Sequence, residues 1–262
     1  MGDPAERARI LAFERDLLAR TTARTERFAF GTAYLDERFP LRYDSNLLWA
    51  EGPLEGATAA ELAAECERVL GGLGLEHRNL VVEDPIAGER LAPGLVALGY
   101  SWDRLVTMVH RRRPDRPAAH PAREVGVEEY ISILREMLRR EPYATSEEVV
   151  RQLSEHRRVF AAAGARFFVA FVGEVAASRC ELYLGPGIAQ IEDVATLPEH
   201  RGRGLARAVV LRALDAARAA GAELVFLNAD DEDWPKELYR RLGFDELARW
   251  SAFDRHPPWP ER

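Results

Sequence analysis

The sequence predicts an α/β fold in two similar halves. Three observations lead there. Strand-like and helix-like patterns alternate through residues 123–262. At one point a strand pattern passes through the glycine-rich turn Arg201-Gly202-Arg203-Gly204 straight into a helix. The first half also aligns with the second, without gaps, at an offset of 144 residues.

The elements of the second half follow in order. Residues 123–127 read as a strand, and residues 128–140 and 146–163 as helices, the latter opened by Ser146 with Glu147 and Glu148 in its first turn. Residues 166–172 and 175–184 alternate around Gly173 as a hairpin, and Gly185-Pro186-Gly187 turns the chain into a strand over 188–196. Residues 205–220, rich in Ala, Leu and Arg with no interior Gly or Pro, predict a helix. A strand over 222–228 leads to a helix over 233–242, where Asp233 is a cap and Pro235 suits the first turn. A strand over 247–253 closes the unit.

Arg111-Arg112-Arg113-Pro114 and the prolines that follow have no periodicity and read as a solvated connector. This divides the chain into residues 1–113, a linker 114–122 and residues 123–262. At the 144-residue offset, Leu98-Gly99-Tyr100 falls on Leu242-Gly243-Phe244, Asn79 to Val82 on the strand from Glu223, and the helical run 60–73 on the helix at Gly204.

Composition sets limits on function. A net charge of −7 argues against a general nucleic-acid binder and leans toward a cationic partner. Arg7, Arg9, Glu14, Arg15 and Asp16 interrupt the early apolar residues, and no run approaches the ~20 residues of a membrane span. No leader or membrane association is expected, and a cytoplasmic location is. Cys66 and Cys180 are isolated and expected to be core thiols, and the six His residues have no metal-ligand spacing. His156 and His200 are expected to be solvated.

The glycine-rich turn carries the chemistry. The first turn of a helix holds unpaired N–H groups and the positive end of its dipole, which together favour a pyrophosphate. Gly202 and Gly204 let the backbone approach closely, Ala206 stays small, and Arg201 and Arg203 add charge. A nucleotide-binding P-loop does not fit, since no Gly-Lys-Ser/Thr follows.

The pattern Arg201-x-x-Gly204-x-Ala206 after Val194-Ala195-Thr196, followed by Leu238-Tyr239-Arg240-Arg241-Leu242-Gly243-Phe244, resembles the acyl-coenzyme A site of the GNAT-type N-acetyltransferase superfamily. The resemblance is specific from about residue 190 to 244, plausible from residue 123, and weaker before that. It implies a GNAT fold, a mixed and mostly antiparallel sheet flanked by helices, and acetyl-CoA as co-substrate, with no metal. By resemblance, the strand end Val194, Ala195 and Thr196 holds the pantetheine arm and thioester oxygen. Arg201, Gly202, Arg203, Gly204, Leu205, Ala206 and Arg207 hold the pyrophosphate, and Tyr239 takes the general-acid position. The Asn that the family places ahead of the last helix is absent. Acidic residues 231–233 stand there, and Asn228 at the preceding strand end is the candidate for that coenzyme contact.

Glu192 and Asp193 are strand neighbours, so alternation sends one to each face and only one toward the acceptor. Glu192 shares a face with Val194 and Thr196 and is favoured as the base that deprotonates the amine; the rival reading pairs either carboxylate with an Arg. At the 144-residue offset the first half has lost both glycines and both arginines of the turn, and Leu95 faces Tyr239. It reads as a degenerate GNAT-like unit that supports the second half or shapes its acceptor cleft. The expected function is acyl transfer from acetyl-CoA to a primary amine of a small molecule or peptide, by a monomer or homodimer. The alternative is a non-catalytic acyl-CoA-binding protein.

Overall fold

A computed structural model describes residues 3–232 and 234–257. Asp233, expected as a helix cap, lies outside the described residues. Eight helices and eleven strands are present among the described residues. The first half contains α1 (Pro4–Thr21), β1 (Arg24–Phe28), β2 (Gly31–Leu35), β3 (Leu47–Ala50), α2 (Ala59–Val69), β4 (Arg78–Val82), α3 (Pro85–Ala97) and β5 (Ser101–His110). The second contains β6 (Arg123–Val125), α4 (Val127–Leu138), α5 (Glu147–Glu155), α6 (Arg157–Ala162), β7 (Arg166–Val172), β8 (Val175–Gly185), β9 (Ile188–Thr196), α7 (Leu205–Ala219), β10 (Leu224–Asp230), α8 (Pro235–Arg241) and β11 (Phe244–Arg255).

All eleven strands form one sheet, ordered β1-β2-β3-β4-β11-β5-β10-β9-β8-β7-β6. The last strand of each half is therefore exchanged. β11 lies between β4 and β5, while β5 lies between β11 and β10. At the centre Leu105 pairs with Trp250, and Val106 with Arg249. The 144-residue offset makes Arg249 the counterpart of Leu105 and Trp250 that of Val106. Exchanging the halves maps this pairing onto itself, so a local pseudo-twofold passes between the four residues. The strands on either side of residues 114–122 share one sheet.

Helices cover both faces. α2, α3, α7 and α8 pack on one, with Leu62, Leu91, Leu95, Val209, Ala213 and Leu242 fully or almost fully buried. α1, α4 and α6 pack on the other, where Phe13 of α1 meets Phe226 edge to face with ring centroids 5.7 Å apart. α1 was not anticipated from the sequence, although Asp3 caps it through Ala5 N and Pro4 opens it. Its Ile10, Phe13 and Leu17 cover strands of the second half, while Leu11 and Leu18 reach Leu47, Trp49 and Val81 of the first. One helix thus roofs one face of both repeats.

Two expectations need correction. The run 146–163 is interrupted at His156, which is fully buried rather than solvated and lies 3.2 Å from both Ser45 Oγ and Thr21 O. It packs against the first half, and burial, followed by the charge of Arg42, lowers its pKa to about 4. The connector has no helix or strand through residues 111–122, yet it is pinned rather than free. Arg111 N and Arg112 N both donate to Gly243 O, and Arg112 pairs with Asp245. A Cβ on Gly243 would stand 1.9 Å from Arg112 O, and its φ of +95° also selects glycine.

Candidate functional site

β9 and β10 run parallel and pair only at Ile188–Leu224, Ala189–Val225 and Gln190–Phe226. Beyond these pairs β9 continues to Thr196 and β10 to Asp230 with no further pairing between them. The sheet opens there. Val194, Ala195 and Thr196 line one side of a cavity of about 400 Å³, with Gly202, Gly204, Leu205, Ala206 and Arg207 at one end and Tyr239 in its wall.

The glycine-rich turn suits an anion. Gly202 and Gly204 have φ of +73° and +82°, and a Cβ on either would meet nothing within 4 Å. Gly204 is the N-cap of α7, with no side chain capping the first turn, so the first N–H groups stay available. The equivalent helix of the first half is closed by its own residues. Thr58 Oγ1 accepts from Glu61 N, and Glu61 accepts from Thr58 N, a full capping box. The cradle at α7 therefore fits the pyrophosphate of coenzyme A, while its counterpart has its own donors satisfied.

The arginines of the turn do different things. Arg201 Nε donates to Thr196 O at 3.2 Å and fastens the turn to β9, while Arg203 lies against His200 Nδ1 at 3.0 Å. The Arg207 side chain is buried and paired with Asp115 at 2.6 Å, so its contribution to an anion is its backbone N–H. Asn228 is not at the coenzyme cavity. It shares with Phe226 the face under α1, where its Nδ2 donates to Glu14 Oε1 at 2.7 Å and its Oδ1 accepts from Thr107 Oγ1 at 2.8 Å. Strand alternation places it on the far side of the sheet from α7.

The alternation expected at Glu192 and Asp193 is broken. Asp193 has φ of +52°, and the pairing of β8 with β9 shifts register between Arg179 and Glu181. Both carboxylates consequently lie on the face covered by α1 and α6. Arg157 of α6 bonds Glu181 and Asp193 together, and Glu181 stands directly opposite Glu192. Burial opposes charge on Asp193, but the guanidiniums of Arg179 and Arg157 overcome it and hold the carboxyl well below its usual range. Glu192 has no Arg partner among the described residues. Its Oε2 accepts from Gln190 Nε2 at 2.8 Å, and burial, then the charges of Asp193 and Glu14, push it up to about 8.

Tyr239 is buried in the α7 face of the sheet. Burial, then the charge of Glu192, raise its phenol, so it keeps its proton. Glu192 opens onto a second cavity, about 590 Å³, under α1. The sequence reading had missed Glu14, Asp103, Trp250 and Asp254, which line it. Their signal lay in the strand alternation of the exchanged strands and in an amphipathic N-terminal helix.

A split parallel strand pair, a bulged strand beside it and a glycine turn feeding a helix make up the opening. Residues 130–244 match the model of the Acetyltransferase (GNAT) family. The match takes in a little under half of the chain and marks a GNAT-type acetyltransferase domain in its second half. The chain is 33% identical over 70 residues to glucosamine 6-phosphate N-acetyltransferase of Trypanosoma brucei brucei, a match covering 27% of this chain and 46% of that protein. The chain spans less than half the length of the curated relatives it matches. Among solved structures, a GCN5-related N-acetyltransferase from Kribbella flavida shares the fold across 96% of both chains, with a TM-score of 0.61 and 21% identity. A tandem GNAT protein from the clavulanic acid biosynthesis pathway superposes on 75% of this chain and 69% of its own, with a TM-score of 0.51 and 17% identity. The two-repeat layout is therefore one that this fold family uses.

Proposed function

We propose that the second half transfers an acetyl group from acetyl-CoA to a primary amine of a small molecule or peptide, and that the first half, without a coenzyme cradle, walls the acceptor side. The observation carrying this reading is that Glu192 and Tyr239 approach the same opening between β9 and β10 from opposite faces. One faces the cavity under α1, the other the coenzyme cavity.

When bound, the coenzyme supplies a thioester, a carbonyl already activated toward amines. The chain's residues manage protons and charge. The first-turn N–H groups of α7 hold the pyrophosphate, and backbone of β9 beyond Gln190, unpaired toward β10, holds the arm and donates to the carbonyl oxygen as negative charge develops there. Glu192, deprotonated, accepts a proton from the acceptor ammonium so that the nitrogen lone pair can form the new C–N bond. Tyr239 donates its phenolic proton to the sulfur as the C–S bond breaks, and the second proton shed by the nitrogen restores the phenol, so the two protons lost by the ammonium end on Glu192 and on the thiol. The order of proton affinities suits these roles, since burial pushes Glu192 up to about 8 and raises the Tyr239 phenol, which therefore rests protonated between turnovers.

Release of free thiol from acetyl-CoA across a panel of amines tests the reading. Amine-dependent release is expected. Coenzyme binding without release from any amine would replace it with the non-catalytic acyl-CoA-binding alternative.

A further inference from the structure

Resting on the acyl-transfer reading, we propose that the acceptor is a small polycationic amine that lies along a ladder of carboxylates under α1 and presents one nitrogen to Glu192. Four neighbouring strands each contribute one rung: Glu192 on β9, Asp230 on β10, Asp103 on β5 and Asp254 on β11. At about 4.8 Å per strand, three steps separate the ends by roughly 14 Å across the sheet. That is the scale of a molecule with several ammonium groups and exceeds a single amine.

The ladder has no protein cation to serve. Arg42 is the one basic residue lining this cavity among the described residues, and it is turned to Ser45 and Asp44. The carboxylates of Asp103 and Asp254 have no hydrogen-bond or ion-pair partner among the described residues. Asp254 is pushed up to about 7 by burial and by repulsion from Asp44 and Asp103, the response of crowded carboxylates that lack a counter-charge.

Two donors in the same walls also lack partners. Arg42, more than nine-tenths buried, leaves its Nε unpaired, and Trp250 leaves its Nε1 unpaired. The Trp250 ring stacks near Trp49 at 6.4 Å, giving an aromatic face on which an ammonium gains cation–π attraction. Carboxylates without a counter-charge, set beside an aromatic face, suit a polycation. The exchange of β5 and β11 creates it, because Asp103 and Asp254 belong to the strands that cross between halves.

Isothermal titration of the full chain with kanamycin, spermine and glucosamine tests this. Kanamycin and glucosamine both present sugar oxygens, but only kanamycin carries several ammonium groups. Either polycation is expected to bind at least about 50-fold tighter than glucosamine, with that advantage falling at least tenfold as salt is raised through the range where the Debye length shrinks to about 3 Å. The Asp103→Asn, Asp254→Asn double variant is expected to weaken polycation binding at least tenfold. Should that variant fail to fold, the salt series on the unaltered chain decides. Equal affinities for glucosamine and both polycations, or salt-independent binding, would overturn the inference while leaving acyl transfer intact. Charge-selective binding with no amine-dependent thiol release would keep the polycation site and remove its role as an acceptor site together with acyl transfer.

Discussion

Glu192 and Asp193 adjoin in the chain, face the same side of the sheet, and are driven in opposite directions as acids. The left-handed backbone at Asp193 brings its carboxylate to Arg157 and Arg179, which keep it ionised. Glu192 receives the Gln190 amide and the Asp193 backbone against burial and the repulsion of its charged neighbours, and rises to about 8. Two carboxylates held apart in proton affinity by their surroundings are the mark of divided roles. Asp193 fixes the bulge, and Glu192 is left to exchange a proton near neutral pH.

A base must be deprotonated to act, so kcat/KM is expected to rise with pH through about 8. Glu192→Gln should lower kcat by about 10²-fold or more and remove that limb, leaving only the ionisation of the acceptor itself. A pH–rate profile of both proteins with one amine measures this. An unchanged limb in the variant would assign it elsewhere.

Tyr239→Phe removes the phenol while keeping the ring against Phe244, whose centroid lies 6.3 Å away. The thermal midpoint should move little. A fall in kcat of about 10²-fold is expected, with KM for acetyl-CoA within a few-fold, because the lost proton matters in the transition state alone. Steady-state kinetics that show no fall would remove Tyr239 as the acid.

Stability should decline as pH rises from about 6.5 to 8. Glu14 and Asp254 are raised to about 7 and Glu192 to about 8, while the buried His77 and His156, lowered to about 4, oppose them only below about 6.5, so above it the folded chain binds more protons than the unfolded one. Burial is the leading cause in all three. Folding is favoured while they are protonated, and the advantage is lost as each ionises. Asp254→Asn should therefore raise the melting temperature at pH 8 by more than it does at pH 5. Calorimetry at the two values checks the sign.

Much of this architecture was legible in the sequence because it depends on local rules. The strand at 188–196, the helix at 205–219 and the glycines of the turn follow from periodicity, propensity and the need for positive φ. The 144-residue offset recurs in the reciprocal pairing of Leu105 with Trp250 and Val106 with Arg249. What escaped is what depends on long-range pairing. No local pattern shows that β5 and β11 change places, and so none puts Asp103 and Asp254 in one cavity with Glu192. Asn228 was assigned to the coenzyme from its position along the chain, whereas strand alternation and the Glu14 hydrogen bond turn it to the acceptor side. The bulge at Asp193 overrode the simple period of two on which the choice between the two carboxylates rested.

The exchanged strands make the halves interdependent. Residues 123–262 alone would lack β5 between β10 and β11, leaving Val106 and Met108 missing from the core and two strand edges open. Expressed singly, residues 1–113 and 123–262 should each be insoluble or poorly ordered. Expressed together, they should co-purify and recover the circular dichroism of the intact chain. A cooperative melt from either piece alone would contradict the interdependence.

Acetyl-CoA carrying a heavy-isotope acetyl group, incubated with the full chain and a polyamine, followed by mass spectrometry of the small-molecule fraction, reads the proposed reaction without intermediaries. The expected result is an amine bearing the labelled acetyl group, formed with the unaltered chain and reduced about 10²-fold or more with Glu192→Gln. Labelled product at the same rate from both proteins, or none from a chain that binds the coenzyme, would contradict acyl transfer at the opening between β9 and β10.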